Sequence, residues 1–349
     1  MRVFVAMSGG VDSSVAAALL VREGHDVTGV TMRLLPGDDP SDGCCSLDGA
    51  RSAKRVCDTL GIPHYSLEFA DVFEREVIGL YCDEYAAGRT PNPCIACNDR
   101  VKFSELMRRV KLQDADFLAT GHYARIVRDA ADLPWLARGA DHGKDQSYFL
   151  YRMTTGQLEH TLFPVGMLTK AEVRDIARKM HLPAAERAES QETCFVPGDD
   201  PRAFVRERRP EAFVPGPFVD SEGSTLGMHD GVPGLTIGQR RGLGIAAGGR
   251  VFVTAIDAAT ATVTVGDRAA LSATRVLADH VVWRLPTDEA RVAAGVRYRG
   301  APMPATARIV GGVLEVVADT PFDAVAPGQS IVCYEGDRVI GGGVIREAS

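Results

Sequence analysis

A chain of 349 residues is too long for one ordinary core, so two or three domains are expected. Hydrophobic residues make up 45% and charged residues 24%, the balance of a globular protein, and no apolar run is long enough to span a membrane. The net charge of −7 excludes a general basic coat for nucleic acid and leaves only local basic patches.

MRVFVAM begins with a short apolar strand over residues 2 to 7 and lacks the shape of a signal peptide, so the expected location is the cytoplasm, where thiols stay reduced. SSVAAALLVREG then reads as a helix closed by Gly24, VTGVTMRL as a second strand and ARSAKRVCDTLG as a second helix. PHYSLEF is a third strand, VKFSELMRRVKL a helix, and ADFLATGHYA a fourth strand ending at Gly121–His122. This alternation predicts an α/β fold with a doubly wound parallel sheet, its ligands beyond the carboxyl ends of the strands. In LTKAEVRDIARKMHLP, Thr169 and Glu172 have the spacing of a capping box at a helix start.

After about residue 200 glycine, proline and β-branched residues dominate. RVFVTAIDAATATVTVGD reads as a hairpin, and short strands from HVVWRL to VIGGGVI predict a small C-terminal β-barrel. The expected domains are residues 1–203, of which 160–189 can pack with a small central domain at 204–268, and the barrel at 269–349.

The cysteines number eight. Cys57, Cys333 and Cys82 lie in apolar patterns and read as small core residues. Cys44 and Cys45 follow a Gly-Asp-rich loop and stay open between core and chemistry. Cys94 and Cys97 form a Cys-x-x-Cys after two prolines, and Cys194 stands apart in SQETCFV. The basic residues cluster as Arg202, Arg206, Arg208 and Arg209, where a solvated face and a binding patch are equally good readings, and as Arg240 and Arg241 between glycines.

AMSGGVDSS follows the first strand and opens the first helix. Gly9 and Gly10 permit a tight turn with converging N–H groups, and Ser13, Ser14 and the helix dipole complete an anion site suited to pyrophosphate. No lysine follows the glycines, so this is not a Walker loop. Asp12 inside a phosphate loop makes electrostatic sense if it handles Mg²⁺ or a catalytic water.

SGGVDSS resembles the signature of the PP-loop ATP pyrophosphatases, whose fold is the adenine nucleotide alpha hydrolase-like sheet and whose reaction adenylates an oxygen on an acceptor. Together with TPNPCIACNDRVKF, ATGHYAR, GKDQSYFL, SQETCFV and GLTIGQRRGLG, it is similar to the bacterial tRNA 2-thiouridylase family across nearly the whole chain. The resemblance implies 2-thiolation of the wobble uridine of tRNA with ATP and Mg²⁺. Uracil O2 would be adenylated and then replaced by sulfur from a cysteine persulfide. By matching motif, Cys194 carries the persulfide and Cys97 is the partner nucleophile, the two ending as a disulfide. A protein persulfide donor and a reductant for that disulfide are the implied partners besides tRNA.

The resemblance also assigns ATP contacts to Ala6, Met7, Ser8, Gly9, Gly10, Val11, Asp12 and Ser13, with Met32 and Gly121 where strands end over the nucleotide. Asn92, Pro93 and Cys94 fall where the family holds the target base. His122, Lys144, Asp145 and Gln146 match its tRNA contacts, as do Tyr298, Arg299 and Gln329 in the β module. Some members have Asp at the position of Cys94, which puts a carboxylate acid/base role in doubt here. Two other readings stand beside this one: a PP-loop amide ligase, and a labile iron–sulfur cluster on Cys94, Cys97 and Cys194. One Cys-x-x-Cys pair falls short of the usual structural zinc spacing, and no firm metal site is expected.

Overall fold

The alternation of apolar strands and amphipathic helices produces two compact units in the structure, a computed structural model that describes residues 1–36, 47–187, 193–245 and 249–349. The first unit comprises Met1–Val77, Cys94–Asp199 and Asp337–Val339; the second comprises Ile78–Pro93, Asp200–Gly336 and Ile340–Ser349.

The first unit has, in chain order, strands β1 (Arg2–Ala6), β2 (Asp26–Arg33), β3 (His64–Glu68), β4 (Phe117–Thr120), β5 (Ala124–Arg128), β6 (Pro134–Arg138) and β7 (Thr161–Leu162). Five of them form a parallel sheet in the order β3-β2-β1-β4-β7. Val3, Val5 and Ala119 face one side with Ala17, Leu20, Ala53 and Val56. Phe4 and Leu118, one step along, are buried as well, as a parallel sheet covered on both faces requires. Helices α1 (Val11–Arg22) and α2 (Leu47–Leu60) supply the first layer.

The sequence places a helix over 101–112, but the helical run starts earlier, at Pro93. Cys97–Leu106 is wound as a π-helix and continues as α3 (Met107–Lys111). Val101, Phe103, Leu106, Met107 and Val110 are its buried residues. The fourth strand runs over Phe117–Thr120 and stops at Gly121–His122, where the sequence places its end. Antiparallel β5 and β6 follow, a hairpin the sequence reading lacks. Asp337–Val339 belong with this hairpin: Arg338 pairs with Ala137 and lies 5.0 Å over the Trp135 ring. Helix α4 (Lys170–Lys179) begins with the expected capping box, Glu172 N–H donating to Thr169 Oγ1 and Thr169 N–H to Glu172 Oε2.

The second unit contains a small central sheet and a barrel. β8 (Gly216–Val219), β9 (Thr225–His229), β10 (Phe252–Asp257) and β11 (Thr262–Gly266) pair in the order β10-β11-β8-β9 over a core of Phe218, Val232, Leu235, Val253 and Val263. Helix α5 (Pro201–Arg208) precedes them, capped by Asp200. β12 (Ser272–Trp283), β13 (Glu289–Gly295), β14 (Met303–Val310), β15 (Val313–Asp323), β16 (Ser330–Glu335) and β17 (Arg338–Ala348) run in the order β12-β15-β14-β13-β16-β17, and β12–β17 pairing closes the barrel. Among the described residues no helix is long and apolar enough to cross a membrane.

Candidate functional site

Strand order fixes where a ligand can sit. From β1 the chain proceeds through β2 and β3 on one side, and it returns on the other through β4 and β7. The switch point therefore lies between the carboxyl ends of β1 and β4, where Ala6 faces Thr120 across the ladder. Both ends run into glycine there. At Gly9 φ is +75°, and an added Cβ would fall 2.2 Å from the Gly49 carbonyl oxygen. Gly121 presses its backbone against the first turn of α1, so that a Cβ would lie 2.5 Å from the Ser13 nitrogen.

Gly10 is the N-cap residue of α1 and offers no side-chain cap. The hydroxyls of Ser13 and Ser14 turn back and donate to the Gly10 carbonyl at 3.1 and 2.8 Å. The first-turn amides are thus left for an incoming anion, at the positive end of the helix. Met7 is buried beside this turn, while Ser8 is half-buried and its oxygen lies 3.3 Å from Ser13 Oγ. Val11 is in the core, and Met32 is half-buried near the end of β2.

Asp12 does not face solvent alone. Lys170 Nζ donates to its two carboxylate oxygens at 2.8 and 2.9 Å, and Tyr123 Oη donates to Oδ1 at 2.7 Å. The phosphate loop, lysine-free in sequence, thus has an ammonium group at its Asp. Neither Lys170 nor Tyr123 was legible as a site residue, since they lie 158 and 111 positions away.

Of the residues matched to tRNA contacts, four lie in this unit beside Tyr123. His122 is half-buried and shares a 2.7 Å hydrogen bond between Nδ1 and Thr120 Oγ1. Burial, reinforced by the Lys102 charge, holds its pKa well below the ordinary histidine value. Gln146 is doubly bonded to the Tyr123 backbone. Asp145 is spent internally: it accepts from Arg138 Nε, Gly139 N, Ser147 N and Ser147 Oγ, each at 3.0 Å. Its carboxylate shapes the loop, in which Lys144 is half-buried.

Cys97 opens the π-helix and Cys194 sits in a turn after residues 188–192; both are half-buried, whereas Cys94 is exposed. Ser190, Gln191 and Glu192 of the SQETCF stretch lie outside the described residues, as do Cys44 and Cys45. Phe195 fixes the Cys194 turn by packing edge-on against Phe73 at 5.6 Å. Asn98, next to Cys97, is buried, and its Oδ1 accepts from Lys102 Nζ at 3.0 Å. Among the described residues no three His, Cys, Asp or Glu side chains are grouped to hold a metal, so Cys94, Cys97 and Cys194 do not form a ready ligand set. Cys57, Cys82 and Cys333 are core residues, and burial raises Cys57 to about 11 and Cys333 to about 12.

In the second unit Gln329 donates its side-chain amide to the carbonyls of Thr90 and Pro91 at 2.9 and 3.3 Å, anchoring the segment that leads to Asn92 and Pro93. Tyr298 and Arg299 form the β13–β14 turn, with Arg299 exposed. Arg240 and Arg241 are exposed in the loop after Gln239. The other arginine cluster is largely committed to the fold: Arg202 and Arg206 both grip Asp230, which falls to about 2, and Arg209 pairs with Asp83 at 2.9 Å.

Comparison with known proteins shows the family. The family model described as tRNA methyl transferase HUP domain matches residues 1–198, and those of the tRNA methyl transferase PRC-barrel domain and aminomethyltransferase beta-barrel domain match 202–267 and 273–345. A tRNA-specific 2-thiouridylase of Moorella thermoacetica is 48% identical over 99% of this chain and 99% of its own length. One of Heliobacterium modesticaldum is 47% identical over 98% of this chain and 92% of its own. Among solved structures, a 4-thiouridine synthetase–RNA complex with bound ATP aligns over 60% of this chain and 51% of that chain at 14% identity and a TM-score of 0.36, too loose a likeness to bear on the site. The chain belongs to the tRNA-specific 2-thiouridylase family.

Proposed function

We propose that the protein is an ATP-dependent tRNA sulfurtransferase that converts the wobble uridine to 2-thiouridine. The observation that carries this is one unit holding both an uncapped phosphate loop at a topological switch point and two half-buried thiols, Cys97 and Cys194. The names of the full-length relatives support it. The methyl-transferase label of the domain models fits less well, because methyl transfer has no need of a pyrophosphate-binding turn.

Uracil O2 attacks the α-phosphorus of ATP and pyrophosphate leaves, held by the loop amides. AMP is then a good leaving group at C2. The terminal sulfur of a Cys194 persulfide attacks C2 and expels AMP. The Cys97 thiolate cleaves the resulting sulfur–sulfur bond at the Cys194 sulfur, leaving 2-thiouridine and a Cys97–Cys194 disulfide. Alternatively, Cys97 attacks the Cys194 persulfide first and releases hydrosulfide as the nucleophile. Either route needs an outside thiol to restore the cysteines and a protein donor to reload the persulfide.

Mg²⁺ in such loops is held by one or two carboxylates together with substrate phosphates. Asp12 is the carboxylate at hand; its oxygens are engaged by Lys170 and Tyr123, so the residues alone do not make a metal site and the phosphates would complete it. Asn92, Pro93 and Cys94 are proposed to hold the target base. His122, Lys144, Gln146, Tyr298, Arg299 and Gln329 are proposed to meet tRNA, with Asp145 acting through the loop it folds.

The test is mass spectrometry of the wobble nucleoside after incubation of tRNA with ATP, a sulfur source and the protein. Asp12→Ala should abolish adenylation. Cys194→Ser should retain tRNA-dependent AMP transfer but yield no 2-thiouridine. Normal thiolation by Cys194→Ser would remove the persulfide assignment, and an amide product would favour a ligase.

A further inference from the structure

Two separate hydrogen-bonded routes join the phosphate loop to residues 141–147, and both start at Asp12. In the first, Tyr123 Oη donates to Asp12 Oδ1 at 2.7 Å. The same residue's N–H donates to Gln146 Oε1 at 3.0 Å, and its carbonyl accepts the Gln146 N–H at 2.9 Å. In the second, Lys170 Nζ holds both Asp12 oxygens, while the Lys170 N–H donates to Asp141 Oδ2 at 3.0 Å. Asp141 organises the loop, accepting the Gly143 N–H at 3.1 Å and, through its carbonyl, the Lys144 N–H at 3.0 Å.

Neither bond to Asp12 is needed to form the element that supplies it. The Thr169–Glu172 capping box already starts α4, and the Tyr123 ring is packed in a core with Val15, Leu19 and Val165. Tyr123 is 2% exposed and the Lys170 side chain 12%, so both routes run through enclosed side chains in which charge is poorly screened. A polyphosphate entering over the α1 amides adds negative charge beside this cluster. It competes with the Asp12 carboxylate for the Lys170 ammonium, and Mg²⁺ entering with it would compete with that ammonium for the carboxylate; both loosen the Asp12–Lys170 pair.

We propose that Tyr123 and Lys170 are positioning residues that couple polyphosphate occupancy of the phosphate loop to the affinity of loop 141–147 for tRNA. The proposal rests on the reading above, in which that loop meets tRNA. It makes nucleotide and tRNA binding mutually dependent, by the same factor in each direction.

The experiment measures tRNA affinity of the full chain with and without saturating α,β-methylene-ATP and Mg²⁺, a probe that cannot be cleaved between the α and β phosphates. In the unmodified protein the two affinities should differ by about fivefold or more. Tyr123→Phe and Asp141→Asn should each shrink that ratio, and Lys170→Met should bring it within about twofold of unity; in Tyr123→Phe and Lys170→Met the nucleotide-free tRNA affinity should stay nearly unchanged. A merely structural loss would weaken tRNA binding in both arms and leave the ratio intact. Asp141→Asn keeps the test decisive where Lys170→Met also weakens the nucleotide, because Asp141 reaches Asp12 only through the lysine backbone. A ratio of one in the unmodified protein, or an unchanged ratio in all three variants, overturns the coupling. Absence of tRNA binding altogether would instead overturn the functional reading beneath it.

Discussion

Phe195 meets Phe73 edge-on, ring centroids 5.6 Å apart at 80°, and both rings are almost completely buried. The residue directly before Phe195 is Cys194, so a hydrophobic anchor fixes one side of the sulfur-bearing turn while the thiol itself stays half-exposed. Phe195→Ala should cost about 3 to 5 kcal/mol of stability by chemical denaturation. In the assay it should depress thiolation more than AMP transfer. Equal losses in both steps would show that the anchor does not serve Cys194 in particular.

The thiols should separate by reactivity. Under native conditions at neutral pH, iodoacetamide should label exposed Cys94 ahead of half-buried Cys97 and Cys194, and Cys57, Cys82 and Cys333 only after unfolding. Peptide mapping against time measures this. Native labelling of Cys333 as fast as Cys94 would contradict its burial and its thiol pKa, raised to about 12.

Two kinds of arginine should behave differently toward tRNA. Arg299→Ala and Arg240→Ala, at exposed positions, should each reduce the slope of log affinity against log salt by about 0.7 to 0.9 where the side chain meets a phosphate. Arg206→Ala should leave the slope alone and lower stability, because Arg206 is bound to Asp230 and stacked 4.3 Å over Phe213. A slope change in Arg206→Ala of the same size would mean its ion pair opens for RNA.

His122 should make the protein acid-sensitive. Its folded pKa is lowered well below 6.5 by burial and by Lys102. Below pH 6.5 the unfolded chain therefore binds a proton that the folded protein refuses, and stability falls as pH drops toward the folded pKa. Above that window the term is constant. His122→Gln should flatten the acid limb by up to about 1.4 kcal/mol per pH unit. His64, also lowered by burial, contributes in the same direction, so the limb should flatten without vanishing. An unchanged limb in urea titrations from pH 7 to 5 would count against a neutral His122.

Local signals carried much of this organisation. The strands from Arg2 to Thr120 announce themselves by short apolar runs between helices, and the Thr169–Glu172 spacing marks a helix start because both partners lie within one turn. The phosphate loop is legible for the same reason, its glycines and serines being contiguous. Lys170 and Tyr123 are not, because only the tertiary fold brings them to Asp12, and either could pass for an ordinary helix or strand residue. The sequence places the helix at Val101, four residues after the π-helix at Cys97–Leu106 begins, since wider winding leaves no compositional mark. Among the arginines, the cluster holding Arg202 and Arg206 is evenly balanced in sequence between a solvated face and a binding patch; its commitment to Asp230, more than twenty positions on, appears only in space.

Ile78–Pro93 belong to the second unit and Asp337–Val339, which pair at the edge of the β5–β6 hairpin, to the first, so neither unit is a continuous stretch of chain. No single cut yields the phosphate-loop unit intact: a fragment ending near residue 200 lacks the strand that pairs with Ala137 and the guanidinium that covers the Trp135 ring. Such a fragment presents a bare sheet edge beside an uncovered indole, a combination prone to association. During synthesis the same unit waits for more than a hundred further residues before Arg338 can pair with Ala137 at the hairpin's edge, so its early-made part leaves the ribosome unfinished.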